Sequence, residues 1–488
     1  MKNRNAIVVC VVLVTVLAGS VQTVLSQSVW SKEKAISWYA EQPWLAGSNY
    51  LPVTAINQLE MWQAESFDTL TINKEMALAE SIGFNTMRVF LHDKLWAQDA
   101  KGFIQRVNIF LRICSRHHIK PMLVFFDSCW DPFPELGKQH DPIPGLHNSG
   151  WVQSPGATML TDPAQYGKLE QYVKGMIKAF GHDNRILCWD MWNEPDNTNG
   201  SSYGNKEPKN KVEFVNRLLP EVFKWARSEK PVQPLTSGLW TWWDGGWDKD
   251  SSKNLSATER IQLANSDIIT FHCYDDSATF RKQLQALLGH GKPVICSEYM
   301  ARGNKSTVIT IMPVAKQYNV GMINWGFADG KEQTKFPWDS WDKKYTTDPP
   351  LWHHILFKAD YTPYIPEEIE FIKKMTSEKV RPVLRTGAVN RKDASFARFM
   401  ISFDKGFADT RVVVQESDSK VLILDRRLTT DGKTANAGGV ILGKPGNYSL
   451  RVGNKSATID TAAGLYAHVS ILNGDIYVNY SNQKIEYQ

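Results

Sequence analysis

The chain has 488 residues, in which 56 Lys and Arg face 51 Asp and Glu for a formal net charge of +5. These charges are spread along the chain without a long run of one sign, which excludes the basic stripe on which nucleic-acid binding depends. The length exceeds the about 250 residues of one typical barrel domain, so we expect one large domain and a smaller one.

The N-terminus has the pattern of a secretory signal peptide. A basic start precedes an apolar run from Ala6 to Leu17, and Val24-Leu25-Ser26 before Gln27 fits a cleavage site. A membrane anchor is the competing interpretation, but the run is shorter than the roughly 20 residues that span a bilayer. We therefore predict a signal peptide at residues 1–26, a secreted or periplasmic mature chain, and no membrane span after cleavage.

The mature chain then repeats one unit eight times, a short apolar β-rich run followed by a helical pattern. Eight such units predict a closed parallel barrel of the (β/α)8 type, the TIM barrel, and the near-continuous hydrophobicity is typical of strands buried on both faces. The predicted strands are Leu45–Tyr50, Asn85–Leu91, Pro121–Asp127, Ile186–Glu194, Leu235–Trp240, Asp267–Tyr274, Pro293–Tyr299 and Gly321–Phe327.

Two helices carry the clearest signals. Asp162 can cap a helix with Pro163 at its first position, an apolar stripe that runs to Phe180, and Gly181 at its end. The last helix of the barrel should begin at Pro366, which two glutamates follow, as is usual at a helix N-terminus. We therefore place the catalytic barrel at residues 27–376.

The composition changes from about Ser377. Asp431-Gly432 and Asn473-Gly474 are turn signals between alternating runs such as Phe399–Phe403. This pattern predicts a small antiparallel β-sandwich over residues 377–488. All 18 tryptophans precede this segment, whereas sugar-binding modules usually present an exposed indole face, so we expect a packing role for it rather than carbohydrate binding.

The cysteines are expected to be structural. Removal of Cys10 with the signal peptide leaves five, an odd number, so at least one thiol stays unpaired. Cys188, Cys273 and Cys296 fall in predicted strands, where a free cysteine packs as a small apolar side chain. We predict that these three are buried and inert.

Two predicted strands deliver a carboxyl group to the same end of the barrel. Strand four ends in Trp192-Asn193-Glu194-Pro195, and strand seven ends in Cys296-Ser297-Glu298-Tyr299. The active site of a parallel barrel lies at the carboxyl ends of its strands. Cleavage of a glycosidic bond needs one carboxylic acid to protonate the leaving oxygen and one carboxylate to attack the sugar or activate water. Glu194 and Glu298 are therefore the candidate catalytic pair.

At this point the chain resembles clan A of the glycoside hydrolases, and family 5, of cellulase and mannanase type, most closely, over roughly residues 44–330. The resemblance implies that Glu194 is the general acid/base, that Glu298 is the nucleophile of a retaining enzyme, and that Asn193 binds a sugar hydroxyl. It further implies that Arg88 supports the nucleophile. His272 and Tyr274 match the His-x-Tyr pair of strand six, and Trp325 matches the strand-eight tryptophan under the sugar ring.

One position departs from the family pattern. Family 5 usually has a histidine just beyond strand three, where this sequence reads Asp127-Ser128-Cys129-Trp130, so a neighbouring clan A family stays open. Arg88 also has a second interpretation, an ion pair at the barrel mouth with Asp127 or a glutamate. An arginine beside Glu298 would keep that carboxyl ionised in either case.

The partner indicated is a polysaccharide or oligosaccharide of β-glucan, mannan or xylan type, and the resemblance implies no cofactor. The loops contain many tryptophans, whose rings stack on pyranose faces. A transglycosylase with the same two glutamates, a non-catalytic carbohydrate-binding barrel, and a metal-dependent hydrolase using His272, Asp127 and Asp131 remain alternatives. The pairs His117-His118 and His353-His354 have no metal-ligand spacing, and we interpret them as surface or loop residues.

Overall fold

We describe a computed structural model of the chain. It covers residues 28–242, 246–248 and 254–377, and beyond these the eight strand segments 397–403, 411–416, 422–427, 436–443, 446–452, 455–461, 466–472 and 475–481. The predicted signal peptide at residues 1–26 and Trp243 in the loop after strand five lie outside the described residues. Within the described part of the chain, each helix is too short or too polar to cross a bilayer.

The first eight strands form one parallel sheet with the order β5-β4-β3-β2-β1-β8-β7-β6. All eight predicted strands are present, each shorter than or equal to its prediction. Their bounds are β1 Ala46–Asn49, β2 Thr86–Phe90, β3 Met122–Asp127, β4 Cys188–Asn193, β5 Leu235–Thr236, β6 Ile269–His272, β7 Val294–Glu298 and β8 Gly321–Asn324.

The barrel closes between its fifth and sixth strands through Leu239, which lies three residues past the end of β5. The backbone amide of Leu239 donates to the carbonyl of Thr270 (3.0 Å), and the amide of His272 donates to the carbonyl of Leu239 (2.8 Å). Elsewhere in the sheet, Gly47 allows β1 to approach β2 closely, because a Cβ atom at this position would lie 1.9 Å from the carbonyl oxygen of Thr86. The predicted (β/α)8 barrel is confirmed.

Helices surround the sheet and alternate with its strands. The predicted helix after Asp162 begins with a short 3₁₀ turn, Pro163–Gln165, before its α-helical part, and the predicted last helix is present. The helices are α1 Lys32–Ala40, α2 Gln58–Trp62, α3 Thr69–Ser81, α4 Asp93–Arg116, α5 Ala157–Leu160, α6 Tyr166–Phe180, α7 Lys211–Ser228, α8 Ala257–Asn265, α9 Ser277–Leu288, α10 Val308–Gln317 and α11 Pro366–Ser377.

The N-terminal ends of the barrel strands are sealed by an apolar cluster that α1 covers. Its members come from α1 and the residues before it and from positions at or near the starts of the strands, and they are all buried. They are Trp30, Ala35, Tyr39, Leu45, Met122, Leu187, Cys188, Ile268, Ile295 and Ile323. The polar residues of interest therefore collect at the opposite, carboxyl end.

The C-terminal segment forms two four-stranded sheets, with orders β11-β10-β13-β14 and β12-β9-β15-β16. The pairing is antiparallel, as predicted for a β-sandwich, apart from β9 and β15, which are parallel. Leu472 at the end of β15 lies opposite Asp475 at the start of β16, and the predicted turns Asn473-Gly474 and Asp431-Gly432 lie outside the described residues. The strands are β9 Ala397–Phe403, β10 Arg411–Glu416, β11 Leu422–Arg427, β12 Asn436–Gly443, β13 Gly446–Val452, β14 Lys455–Thr461, β15 Tyr466–Leu472 and β16 Asp475–Ser481.

The five cysteines of the described residues are all free and all buried. The prediction that Cys188, Cys273 and Cys296 are buried thiols is confirmed. Burial raises the pKa of each of these thiols, so they remain protonated and unreactive at neutral pH.

Candidate active site

The sequence-predicted site residues converge at the carboxyl end of the barrel. Arg88 lies within β2, Asn193 and Glu298 are the last residues of β4 and β7, and His272 is the last residue of β6. Glu194, Tyr274 and Trp325 follow just beyond their strands. Parallel strands place such residues on one rim, although they are far apart in the sequence.

Glu298 is held by one charged and one neutral donor. Its Oε1 accepts from Nη1 of Arg88 (2.7 Å), and its Oε2 accepts from the hydroxyl of Tyr274 (2.7 Å). Burial raises the pKa of Glu298, while His272 and Arg88 act in the opposite direction. The contact of Arg88 with this carboxyl, expected from the resemblance, is thus present, and Tyr274 supplies a second donor that helps to fix the carboxylate in one orientation.

Glu194 has a different set of partners, all of them uncharged. Its Oε2 accepts from the side-chain amide of Asn197 (2.7 Å) and from the thiol of Cys129 (3.2 Å), and its Oε1 lies 2.9 Å from Nδ1 of His272. Burial raises the pKa of Glu194. Its φ of 43° is left-handed, an uncommon conformation that turns the side chain out of the strand path and into the mouth.

His272 lies between the two carboxyls and brings them together. Its Nδ1 is also 3.4 Å from Oε2 of Glu298. One oxygen of Glu194, one oxygen of Glu298 and this nitrogen all lie within 4.8 Å of one another. Two carboxylates beside a histidine would favour its charged form, yet burial lowers the pKa of His272 to about 4. We favour the neutral ring, because its Nε2 is buried without a partner and a second proton there would be unsatisfied.

Arg88 is fully buried and organises the rim. Nη2 donates to Asp190 (2.8 Å) and to Oδ1 of Asn193 (2.7 Å), and Nη1 donates also to Oδ1 of Asn49 (3.0 Å). The alternative ion pair with Asp127 is wrong, whereas that with a glutamate, Glu298, is present. Since the guanidinium bridges β1, β2, β4 and β7, it fixes the nucleophile candidate relative to the strand that carries Glu194.

Asp127 instead supports Asn193 from β3. Its Oδ1 accepts from the Asn193 amide (2.9 Å), and its Oδ2 accepts from the indole of Trp151 (2.7 Å). Burial raises the pKa of Asp127 to about 6. The amide of Asn193 is therefore held on both sides, by Arg88 and by Asp127, and this fixes the residue expected to contact the sugar.

Trp325 is largely buried at the mouth, with 8% of its surface exposed. Its ring contacts Phe90 (centroids 6.1 Å apart) and Trp151 (5.8 Å apart), both nearly edge to face. These contacts fix the plane of the indole just beyond the end of β8. The role under a sugar ring stays a prediction.

Only one group of His, Cys, Asp and Glu among the described residues brings three possible metal ligands together, and it is Glu194, His272 and Glu298. The set His272, Asp127 and Asp131 of the metal-hydrolase alternative is not such a group. The group that is present suits a cation poorly, because both oxygens of Glu298 are already bound and the Arg88 guanidinium lies 2.7 Å from one of them.

Four contributors were missed from the sequence: Asn49, Asp190, Cys129 and Asn197. Asn49 ends β1, so the strand-end criterion could have found it. Asp190 interrupts an apolar strand, which is a usable signal for a buried charge pair. Cys129 was noted only as a departure from the family pattern, and the contact of Asn197 with Glu194 had no sequence signal.

His353 and His354 are loop residues, as the sequence indicated, but they do not lie on the surface. Both are buried, and their rings pack against Trp338, at centroid distances of 4.6 and 5.4 Å. Burial lowers the pKa of both. The aromatic loop after β8 covers them. In contrast, His118 is exposed and His117 partly so, and both lie beside Glu80.

A family model described as Cellulase (glycosyl hydrolase family 5) matches residues 48–343. No curated protein sequence matches the chain significantly. Similar solved structures include a β-1,4-D-mannanase from Cryptopygus antarcticus, at 10% identity over 71% of this chain and 93% of that one, with a TM-score of 0.46.

Two others are an exo-β-1,4-mannosidase from Opitutaceae bacterium strain TAV5 (16% identity, 68% of this chain and 59% of that one, TM-score 0.46) and a β-mannanase from the blue mussel Mytilus edulis (15%, 58% and 86%, TM-score 0.41). The family assignment rests on the family model, which spans more than half of the chain.

Proposed function

The chain belongs to glycosyl hydrolase family 5 and is a glycoside hydrolase, and from this premise we propose that it cleaves β-linked sugar chains with retention of configuration. Glu298 is the nucleophile and Glu194 the general acid/base. The substrate is a polysaccharide or oligosaccharide of β-glucan, mannan or xylan type, bound without a cofactor.

The spacing of the two carboxyls carries the proposal. Retaining enzymes have carboxyl groups about 5 to 5.5 Å apart, whereas inverting enzymes separate them by about 6.5 to 9.5 Å to admit a water. One carboxylate oxygen of Glu194 and one of Glu298 lie within 4.8 Å of each other, which is nearer the spacing of retaining than of inverting enzymes. This supports direct attack by one carboxylate on the anomeric carbon.

The surroundings of the two carboxyls support the division of roles. The Arg88 guanidinium bonds directly to Glu298 and favours its charged form, which opposes the rise that burial causes in the pKa of Glu298. Glu194 has uncharged donors and a pKa raised by burial, and it therefore keeps a proton longer as pH rises. A nucleophile needs the first environment and a general acid the second.

In the first step, a Glu298 oxygen bonds to the anomeric carbon while the bond from that carbon to the leaving oxygen breaks, and Glu194 gives its proton to that oxygen. In the second step, Glu194 takes a proton from water, whose oxygen bonds to the anomeric carbon as the ester to Glu298 breaks. Tyr274 and Arg88 orient Glu298 throughout. Asn193 is positioned to contact the sugar hydroxyl beside the reacting carbon, and Trp325 to lie under the ring.

The stereochemistry of azide products tests both roles. In Glu194→Ala, an activated aryl β-glycoside should still form the covalent intermediate, and azide should release it as the β-glycosyl azide. In Glu298→Ala, no intermediate can form, so azide should attack directly and give the α-azide. Asn197→Ala, which leaves both glutamates in place, is the control and should give no azide product. Exchanged outcomes, read by NMR, would reverse the assignment.

A panel of glucan, mannan, xylan and aryl β-glycosides identifies the sugar. A transglycosylase would use the same two steps with a sugar in place of water. Product analysis at high acceptor concentration distinguishes the two, because a transglycosylase gives mainly elongated products.

Three further proposals concern the organisation of the chain. Residues 1–26 direct export to the periplasm or the medium, the barrel spans residues 27–376, and the β-sandwich of residues 377–488 has a packing role. Mass analysis of the mature protein should give an N-terminus near Gln27. Removal of the segment after Ser377 should lower solubility or stability more than polysaccharide affinity, and tight binding of polysaccharide by this segment alone would contradict the packing role.

A further inference from the structure

Aromatic rings from three loops interlock at the mouth of the barrel. Trp130 follows β3, Tyr203 follows β4, and Trp338 and Trp341 belong to a 3₁₀ turn after β8. The indoles of Trp130 and Trp341 are stacked, with centroids 5.4 Å apart and planes 9° apart, and Tyr203 meets Trp341 edge to face at 5.3 Å. We call Trp130, Tyr203, Trp338 and Trp341 the aromatic plug.

Each ring of the plug is partly buried and packs against at least one other aromatic ring. Trp341 has Trp130 against its face and Tyr203 beside it. Trp338 meets Tyr274 at 4.9 Å and His353 at 4.6 Å, both edge to face. A sugar-stacking platform needs a free indole face. The stacked faces of Trp130 and Trp341 are therefore closed to a sugar ring, and we interpret the plug as part of the wall of the cleft.

Hydrogen bonds hold the three loops together beneath the rings. From the loop after β3, the amide of Asn148 donates to the carbonyl of Glu332 (3.0 Å), and the amide of His147 donates to the hydroxyl of Ser340 (3.0 Å) in the loop after β8. Toward the loop after β4, Gln153 Nε2 donates to Glu207 (2.7 Å). Such cross-links make the wall part of the rigid framework.

The plug lies directly beside the reacting centre. Trp130 follows Cys129, whose thiol contacts Glu194, and Trp338 packs on Tyr274, whose hydroxyl binds Glu298. Trp151, from the same loop as Trp130, packs against Trp325. Trp325 is the residue expected beneath the reacting sugar, which lies on the non-reducing side of the cleaved bond, so the loop that carries Trp130 and Trp151 borders the expected position of that sugar.

We propose that the aromatic plug limits the cleft on this side to a terminal sugar unit, so that the enzyme shortens its substrate stepwise from the non-reducing end. This inference rests on the proposed function, since it concerns how a β-linked chain reaches Glu194 and Glu298. A chain that continued past the reacting sugar would have to occupy the volume of the interlocked rings, whereas a chain end would not.

The test uses a β-linked oligosaccharide of a backbone that the full-length enzyme hydrolyses, labelled with a fluorophore at its reducing end. The first labelled product should be one unit shorter than the substrate, followed in order by the next. Labelled fragments of mixed length from the earliest times, or immediate release of the labelled terminal sugar, would overturn the proposal.

Variants then test the plug itself. Trp130→Ala and Trp341→Ala should raise the share of internally cleaved products several-fold. Trp38→Ala is the matched control, because Trp38 is also partly buried against aromatic rings but belongs to α1, at the opposite end of the barrel, and it should keep the stepwise pattern. Unchanged stepwise products from folded plug variants would assign the restriction to another part of the cleft and overturn the role of the plug.

The outcome is separable from a failure of the proposed function. If the enzyme forms no covalent intermediate with an activated aryl β-glycoside and hydrolyses no polymer of the panel, the function itself is wrong. If it forms the intermediate but cuts chains internally, the retaining mechanism stands and only the plug proposal fails. Should a plug variant not fold, the product order of the unmodified enzyme still decides.

Discussion

A buried arginine–aspartate pair lies at each end of the barrel, and the two pairs have different neighbours. At the N-terminal end of the strands, Arg227 of α7 binds Asp267 (2.9 Å), which also accepts from the backbone amides of Trp30 (2.8 Å) and Leu235 (2.8 Å). At the carboxyl end, Arg88 binds Asp190 but extends to Glu298 and Asn193 as well. The first pair fastens backbone, whereas the second fastens side chains that can react.

The comparison shows that a buried arginine–aspartate pair can stabilise the fold at one end of the barrel and orient catalytic side chains at the other. A buried charge needs a partner because its desolvation costs several kcal/mol. In the pair at the N-terminal end, Arg227 and backbone amides bind the carboxylate of Asp267. None of these contacts involves a group that could take part in a reaction. In the pair at the carboxyl end, Nε and Nη2 of Arg88 both donate to Oδ2 of Asp190, and the guanidinium has further donors that orient Glu298 and Asn193. Matched substitutions at the two ends should separate stability from activity.

The largest effect is expected for Arg88→Met compared with Arg227→Met. Each variant leaves a buried aspartate unpaired and should lose about 3–5 kcal/mol of unfolding free energy. Only Arg88→Met also releases Glu298, so kcat/KM should fall by a factor on the order of 10²–10³ for that variant alone. Denaturant titration and steady-state kinetics of the folded fraction measure both quantities. A similar loss of activity in folded Arg227→Met would end the distinction between the two pairs.

The next effect concerns one hydroxyl at each end. Tyr274→Phe removes a hydrogen bond to the charged Glu298, and such bonds contribute about 1.5–3 kcal/mol, which corresponds to roughly a 10- to 100-fold loss of kcat/KM. Tyr39→Phe removes a bond of 3.0 Å to the carbonyl of Asn319 near the N-terminal end. It should cost about 1 kcal/mol of stability and leave kcat/KM unchanged. If Tyr274→Phe left kcat/KM unchanged, as Tyr39→Phe should, then the hydroxyl of Tyr274 would not contribute to activity, and the residue would act only through packing.

The two ends also differ in how far the sequence predicts them. Apolar runs located all eight strands, and the cluster at the N-terminal end follows from them, because Leu45, Ile295 and Ile323 need only be apolar and near a strand start. The strand bounds were too long, since where a ladder of hydrogen bonds stops depends on the neighbouring strand.

At the carboxyl end, the residue types and their order predicted the pair Glu194 and Glu298 and their arginine. The sequence could not give the left-handed backbone at Glu194, since the residue before a proline is normally extended. It also could not give the burial of His354. This burial depends on how the long loop after β8, which contains both Trp338 and His354, folds back on itself. Contacts between loops have no periodic pattern to reveal them.

Buried cysteines occur at both ends of the barrel, and Cys129, whose thiol contacts Glu194, allows the two ends to be compared by experiment. Cys129→Ser places a stronger donor 3.2 Å from Glu194 Oε2, and a hydrogen bond to the charged form lowers a carboxyl pKa. Because Glu194 must be protonated to act as acid, the alkaline limb of kcat/KM should move to lower pH, by up to about one unit. Of the other ionisable groups around Glu194, namely His272, Glu298, Arg88 and Asp196, none is changed.

Cys188→Ser is the control, because Cys188 is an equally buried thiol in the cluster at the N-terminal end. It should lower the unfolding free energy by about 1–3 kcal/mol, the cost of a buried hydroxyl without a partner, and leave the pH profile in place. A profile that is unchanged in Cys129→Ser would show that the thiol only fills space beside Glu194.

The smallest effect on activity is expected at Glu332, in the loop after β8 that carries part of the aromatic plug, because its protonation affects stability rather than the reacting groups. Its carboxyl is buried with Thr334 as partner, and burial raises the pKa of Glu332 to about 8. Between the unfolded pKa and this value, the folded protein retains a proton that the unfolded chain has released. Stability from this group is therefore complete at acidic pH and is lost as pH rises toward 8, with a slope of at most about 1.4 kcal/mol per pH unit.

Glu332→Gln removes this titration while keeping a side chain of the same size. The unfolding free energy of the variant should fall less between pH 5 and pH 8 than that of the unmodified protein, as denaturant titrations at several pH values would measure. Glu135→Gln replaces an exposed carboxyl in the loop after β3 and should leave the slope unchanged. If both variants keep the full slope, the loop around Glu332 admits enough water to solvate the charge, and the wall formed by the plug is less tightly closed than its contacts imply.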